Sequence, residues 1–230
     1  MPHFMLLIAL LFAGCASYSI KLNPTLHNPA QSSHYEDGVL VLTSSMPSSK
    51  VRLELAQSKI GGASNTPLAL FITAQNRGKS QILFDIEHIT LSQNDTAIAP
   101  ISEESLKNDA FDMGSIIEAF HLYLPPKPAP EHYVSVPLIY RGFGGFGVYD
   151  YMIISAREQM QRQIKLEEQR AKRAIIFASL LRKNTLLPST HAPFKGGFVL
   201  YRARDLKEGS VRLRVIVGSE RHDFELKLDK

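Results

Sequence analysis

The sequence predicts a mainly β protein, an antiparallel β-sandwich with short helices and one long helix. Two observations predict this fold class: apolar and polar residues alternate in several short segments, and turn-forming residues separate those segments. A third observation adds the helix, because residues 152–183 contain no Gly or Pro and are rich in helix-forming residues. The 230 residues leave room for one large domain or two small ones.

About eight short segments have the strand pattern. Alternation is clearest at 51–55 and in a closing hairpin, whose strands at 211–217 and 224–228 flank the turn Gly218-Ser219. Pro100 restricts segment 97–101 to a sheet edge, because proline cannot donate to a central ladder. The other predicted strands lie at 39–43, 68–73, 82–91, 133–140 and 197–201.

Helices are predicted in two places. Within 102–121, Ser102 precedes two acids and Asp112 precedes an apolar stretch, so each is expected to cap a short helix. The long helix at 152–183 has apolar ends and a mostly polar middle. Its ends are expected to pack on the sandwich, while the middle either lies across a sheet or forms an arm that binds a partner. A weak 3–4 seam leaves coiled-coil assembly open.

The N-terminus combines an apolar leader with the only cysteine of the chain. Residues 4–13 match the length of a signal-peptide core and are shorter than the roughly 20 residues that span a bilayer. Gly14 and Cys15 follow, with small neighbours on both sides. This arrangement resembles the lipobox of bacterial lipoproteins. Two alternatives are an ordinary cleaved signal and a buried N-terminal helix, with Cys15 a passive apolar residue.

The lipobox resemblance implies a site, a place and a division of the chain. It implies cleavage between Gly14 and Cys15, and a covalent lipid such as palmitate on Cys15. Because Ala16, not Asp, follows the cysteine, it implies an outer-membrane protein of the bacterial envelope that faces the periplasm. We expect a signal peptide at 1–14, a lipid-anchored tether at 15–38 and a sandwich at 39–230. An extended tether would hold the domain up to about 75–80 Å from the bilayer.

A second resemblance concerns the fold. Segment 184–188, the pair Gly196-Gly197 and the closing hairpin resemble the last half of immunoglobulin-like domains in bacterial envelope lipoproteins. The resemblance covers about 50–100 and 184–228. It implies an immunoglobulin-like sandwich into which the long helix is inserted, and it carries over no active site.

Charge is distributed unevenly. Residues 1–151 carry 9 Lys+Arg against 13 Asp+Glu, a net −4, whereas residues 152–230 carry 17 against 9, a net +8. A basic C-terminal part is suited to anionic lipid or an acidic partner, or is simply a solvated surface. The candidate partner contacts are two aromatic residues of the glycine-rich loop at 141–147 and five basic residues of the helix: Phe143, Phe146, Arg157, Arg162, Lys165, Arg170 and Arg173.

The glycine-rich loop also fits the pattern G-x-G-x-x-G at Gly142, Gly144 and Gly147. A dinucleotide-binding unit would place an acid at a strand end about 20 residues further on. Here that distance leads to Glu167 and Glu168, inside the predicted helix. The loop is therefore interpreted as a flexible connection, and no nucleotide or nucleic acid is expected.

No other motif specifies a reaction. The eight histidines form no metal-binding motif, and G-x-S-x-G is absent from the sequence. His88 and His222 are expected to be hydrogen-bonded side chains, not metal ligands. The sequence thus predicts a protein without enzymatic activity or cofactor apart from its lipid. We expect a structural or adaptor subunit of a periplasmic or outer-membrane assembly. The alternative is a ligand-binding module for glycan, peptidoglycan or a host surface.

Overall fold

The computed structural model describes residues 17–21, 30–123, 146–189 and 191–230, with side chains of Lys21 and of 146–160 outside the description. Thirteen strands lie within these ranges. They are β1 Ser17–Lys21, β2 Gln31–Glu36, β3 Val39–Ser45, β4 Ser49–Leu55, β5 Lys59–Gly61, β6 Leu68–Asn76, β7 Ile82–Phe84, β8 Ile89–Gln93, β9 Thr96–Ile98, β10 Asn184–Leu186, β11 Lys195–Tyr201, β12 Gly209–Val217 and β13 Glu220–Asp229.

Two antiparallel sheets form the body of the molecule. One has six strands in the order β5-β1-β13-β12-β8-β9, and the other has five in the order β11-β6-β4-β3-β2. Fully buried side chains of both sheets share one core, with Leu53 and Ile72 from the five-stranded sheet and Leu213 and Leu228 from the six-stranded sheet. Strands β7 and β10 form a separate pair. The predicted mainly β fold with antiparallel sheets is confirmed.

Strand patterning agrees with the alternation of residues. In β4 every second side chain is buried, from Ser49 to Leu55. The β12–β13 hairpin pairs Val217 with Glu220 across its turn, where Gly218 has φ +63°. A residue with a Cβ is strained at this φ, so glycine suits the turn. The predicted hairpin is confirmed.

Segment 82–91 is not one strand as predicted. Asp85 interrupts it, because its side chain accepts from the backbone N–H of Glu87 and contacts Nδ1 of His88, 2.8 Å away. This local bonding turns residues 86–88 into a 3-10 turn. The two halves therefore pair with different strands, β7 with β10 and β8 with β12.

Three helices form a third layer: α1 Glu103–Asn108, α2 Met113–Ala119 and α3 Phe146–Ala178. The predicted caps are confirmed, since Ser102 and Asp112 accept from backbone N–H groups in the first turns of α1 and α2. Apolar side chains of all three helices cover the outer face of the five-stranded sheet. The members of this second core include Leu106, Ile116, Ile117, Ile176, Phe198 and Leu200.

Helix α3 has other bounds than the predicted 152–183. It stops at Ala178 because the chain joins β11, where the N–H of Phe198 donates to the carbonyl of Ser179 and the N–H of Leu181 donates to Phe198. Strand β10 then starts at Asn184. Within the described ranges, no helix combines the length and the apolar character that a membrane span requires.

The predicted tether at 15–38 is wrong over two stretches. Strand β1 lies inside the six-stranded sheet between β5 and β13, and Tyr18 and Ile20 are buried in the core. Strand β2 pairs with β3 along its whole length. Both segments are thus paired strands of the domain, β1 with side chains in the core and β2 with exposed side chains. The predicted strand at 133–140 falls outside the described residues.

Candidate functional site

The C-terminal part of α3 is firmly attached to the body. Ile176 is fully buried in the second core. The guanidinium of Arg173 donates to the carbonyls of Lys107 and Asp109, at 2.8 and 3.3 Å, where α1 ends. The carbonyl of Asp109 also accepts from the N–H of Phe111, and the arginine adds a side-chain donor where the helix ends. This attachment fixes the position of the helix.

The preceding turns of α3 are exposed over residues 161–167. Two of these residues are large and apolar, Ile164 with 42% and Leu166 with 54% of the surface accessible. Single exposed apolar residues are normal on protein surfaces, so the distinguishing feature of this segment is its exposure over seven consecutive residues. We call residues 161–170 the arm.

The arm leaves the body at one particular end of the sandwich. Gln169 and Lys172 line a cleft of about 320 Å³ together with Ser64 and Gly114. Ser64 belongs to the turn that follows β5, and Gly61 in β5 pairs with Ser17, the first residue of β1. The arm and the beginning of β1 are therefore at the same end, which we call the β1 end.

The predicted contact residues are only partly brought together. Arg162, Lys165 and Arg170 are exposed on the arm, whereas Arg173 is engaged in holding α3 to α1. The backbone of Phe146 and Arg157 belongs to α3, but their side chains are outside the description. Also outside the described residues are Gly14, Cys15 and Phe143.

A buried polar network lies at the opposite end and was not predicted. Ser44, Ser49 and His222 are fully buried, and they link β3 and β4 of one sheet to β13 of the other. The ring of His222 contacts the hydroxyl of Ser44 through Nδ1, at 2.9 Å, and that of Ser49 through Nε2, at 2.8 Å. Ser49 also donates to the carboxylate of Glu220.

The network assigns one tautomer to His222. Because the Ser49 hydroxyl donates to Glu220, its oxygen accepts from Nε2–H, and Nδ1 accepts from the Ser44 hydroxyl. Burial lowers the pKa of His222, although Glu220 and Asp223 act in the opposite direction. This arrangement differs from a catalytic triad, where the acid orients the histidine. The hydroxyls of Ser44 and Ser49 are buried, and the network joins the two sheets.

Both histidines are hydrogen-bonded side chains, as expected. Both ring nitrogens of His222 have serine partners, and His88 contacts Asp85. In the part of the chain that the structure describes, no group of three or more His, Cys, Asp and Glu residues is placed to hold a metal ion. Sequence patterns do not reveal the serine–histidine network, because His222 is more than 170 residues from both Ser44 and Ser49.

A groove of about 580 Å³ lies on the outer face of the five-stranded sheet, beside the helical layer. Phe71 and Phe194 are among its lining residues, and Arg52 is held beside them by Glu54, at 2.8 Å. The floor includes Gly196, where a Cβ would collide with the carbonyl oxygen of Ile72. The buried hydroxyl of Thr73, also in this lining, finds no hydrogen-bond partner among the described residues.

Comparison with known proteins gives no family for this chain. No protein-family model matches the sequence, and no curated protein or solved structure matches it at significant similarity.

Proposed function

We propose that the protein is a non-enzymatic bacterial envelope lipoprotein that acts as a structural or adaptor subunit of a periplasmic or outer-membrane assembly. In this proposal Cys15 carries the lipid, and the domain lies at the outer membrane facing the periplasm. The order of the N-terminal residues supports the anchor: an apolar run of ten residues that ends in Ala13, then Gly14, then the only cysteine of the chain.

The single observation that carries the adaptor role is the arm. A helix that is attached at one end and exposed over seven consecutive residues, 161–167, does not stabilise the domain through those residues. Ile164 is exposed among polar neighbours on a side of the helix other than that of the buried Ile176, and Leu166, two positions further on, lies on a different side again. Such a surface is suited to packing against a helix or groove of a partner protein.

The proposal also includes the finer description of the fold. We infer an immunoglobulin-like sandwich in which α3 is an insertion between the strands of the first and last parts of the chain. Two features support it: antiparallel sheets that share one core, and a closing hairpin that pairs at its last strand with the N-terminal β1.

The test replaces one apolar residue of the arm. Ile164→Asp should abolish capture of the partner when the lipoprotein is purified from membranes after cross-linking, because a carboxylate would be desolvated in the contact. Ile216→Asp is the matched control, since Ile216 is 39% exposed on the six-stranded sheet, compared with 42% for Ile164. Equal capture by both variants would contradict the adaptor role of the arm.

The anchor is tested separately. Cys15→Ser should release the protein from membranes and remove the lipid mass from the N-terminal peptide, because a serine hydroxyl does not replace the thiol in thioether formation. Retention of the variant in the membrane fraction, with the same mass increase as the natural protein, would exclude the lipid on Cys15.

A second function, a glycan-binding module, is supported by the groove on the five-stranded sheet. Aromatic side chains and an arginine–carboxylate pair, here Phe71, Phe194 and Arg52 with Glu54, are suited to the apolar face and the hydroxyls of a sugar. Phe194→Ala should weaken binding to peptidoglycan fragments at least tenfold in calorimetric titration, whereas Tyr35→Ala, on the exposed strand β2, should leave it unchanged.

A further inference from the structure

Strand β1 places any group attached to Cys15 close to the body of the domain. Only Ala16 separates Cys15 from Ser17, the first residue of β1. At about 3.3–3.6 Å per residue, a lipid on Cys15 would lie within roughly 7 Å of the sheet. The domain would then rest on the membrane with its β1 end, in contrast to a domain on a long tether.

The arm begins at this same end. From Ile176, buried on the sheet, α3 runs back to Lys172 at the N-terminal turn of α2 and to Gln169 at the turn after β5. Residues 161–167, which precede Gln169, are all exposed. At 1.5 Å per residue, the stretch from Gln169 back to Phe146 is about 35 Å long. The exposed residues 161–167 therefore begin next to the β1 end, where the proposed anchor would hold the membrane.

One side of the arm is basic. Arg162, Lys165, Gln169, Lys172 and Ile176 follow the 3–4 spacing that places residues on one side of a helix. Lys172 and Ile176 face the body, so Arg162 and Lys165 continue the body-facing side beyond its edge. The arm, residues 161–170, carries three Lys+Arg and two Glu, a net +1, and Arg162 and Lys165 are the two cations on this side. This charge is complementary to anionic lipid head groups.

We propose that the body-facing side of the arm binds the head groups of anionic lipids next to the anchor, a contact that uses Arg162 and Lys165. The proposal rests on the lipid anchor proposed above. A lipid contact through Arg162 and Lys165 keeps Ile164, on another side of the helix, accessible to a partner protein. The lipid and the arm would then hold the domain at two points, which fixes its orientation on the membrane.

The first experiment measures the depth of the arm. A lipidated Cys15 has no free thiol, so Gln161→Cys provides one labelling position on the exposed arm, and Ser219→Cys provides a control at the opposite end. An environment-sensitive dye at position 161 should be quenched severalfold more than one at 219 by nitroxide lipids labelled at the head group, in phosphatidylglycerol vesicles. Equal quenching at both positions would overturn the proposal.

The second experiment tests the charges. In the same labelled protein, Arg162→Glu with Lys165→Glu should abolish the additional quenching at position 161. Lys79→Glu with Lys183→Glu makes the same charge change at exposed residues away from the β1 end, and should preserve it. Quenching that is equal in the two double variants would contradict a contact through the basic side of the arm.

Mass spectrometry of the Cys15 peptide separates this inference from the proposed anchor. If Cys15 is unmodified, the proposed lipid anchor is wrong. Co-sedimentation of the same full-length protein with phosphatidylglycerol vesicles then tests whether the arm binds anionic lipid. Binding at least about tenfold weaker for the Arg162/Lys165 variant than for the Lys79/Lys183 variant would support the arm contact. Equal binding of the two variants would overturn it.

Discussion

At the residue scale, the two sheets are joined by an ordered set of hydrogen bonds through His222. Ser44 donates to its Nδ1, and its Nε2–H donates to Ser49, which donates to Glu220. Each buried polar atom of this set has a partner, so desolvation is compensated. The set requires a neutral imidazole, because a second ring proton at Nδ1 would face the Ser44 hydroxyl, whose proton would then have to turn away.

This requirement predicts a pH dependence of stability. Burial lowers the pKa of His222 in the folded protein below its ordinary value of 6.5. The unfolded chain therefore binds more protons as the pH falls through about 6.5, and the free energy of unfolding decreases until the lower, folded-state pKa is passed. Urea unfolding between pH 8 and pH 5 measures this loss. In His222→Gln the slope over this window should be smaller, and an unchanged slope would exclude His222 as its source.

At the element scale, the end of α3 is set by a close approach to β11. The N–H of Phe198 donates to Ser179, and the backbone there leaves no room for a side chain at Gly197. A Cβ at this position would lie 2.6 Å from both the nitrogen of Leu181 and the carbonyl oxygen of Ser179. The glycine thus permits the helix to continue directly into a contact with the edge strand, and the arm keeps a fixed base.

Gly197→Ala should therefore separate the end of α3 from β11. We expect a loss of about 1–3 kcal/mol in the free energy of unfolding, since the colliding atoms belong to the backbone. Hydrogen exchange should accelerate at the amides of Leu181 and Phe198. Ser33→Ala, on exposed strand β2, is the control and should change neither quantity. Unchanged exchange at Leu181 would show that the contact tolerates a Cβ.

At the scale of the whole molecule, the N-terminal strand is part of the sandwich. Ile20 pairs with Leu228 of β13, and the Ser19 hydroxyl donates to the carbonyl of Asp229, 3.2 Å away. Tyr18 and Ile20 each retain less than a tenth of their accessible surface. A membrane anchor placed just before this strand would hold the whole body close to the bilayer.

Ile20→Ala should consequently destabilise the domain by about 2–4 kcal/mol, as for other truncations of buried isoleucine. Chemical denaturation followed by circular dichroism measures this change. Tyr35→Ala is the control, because Tyr35 is 73% exposed and its loss should have little effect. If both variants had the stability of the natural protein, β1 would not contribute to the core in solution.

Local patterns in the sequence predicted part of this fold. The β12–β13 hairpin and the caps Ser102 and Asp112 depend on neighbouring residues, and they were predicted correctly. Strand β1 was not predicted. Its alternation of polar and apolar residues covers only Ser-Tyr-Ser-Ile, which is too short to be distinguished from a polar linker. Asp85 interrupts the segment 82–91 that was predicted as one strand. It does so through side-chain hydrogen bonds, which a pattern of alternating residues does not reveal.

The candidate site was less predictable. The basic composition of α3 was visible in the sequence, but the separation of Arg173 from Arg162 and Lys165 depends on where α1 ends in space. The position of the arm relative to β1 depends on the pairing of Ser17 with Gly61 and on the packing of α3, both of which are set by tertiary structure.

The pairing of β1 with β13 also has a consequence for the order of folding. The two partners are about 210 residues apart, so β1 has no neighbour on that side until the hairpin at the end of the chain has been synthesised. Contacts of such large sequence separation form slowly, because a long loop must close first. The five-stranded sheet, whose β2–β4 and β6 strands are close in sequence, can assemble earlier. The six-stranded sheet is completed only when the last ten-residue strand arrives, although β1 can pair earlier with β5 on its other side.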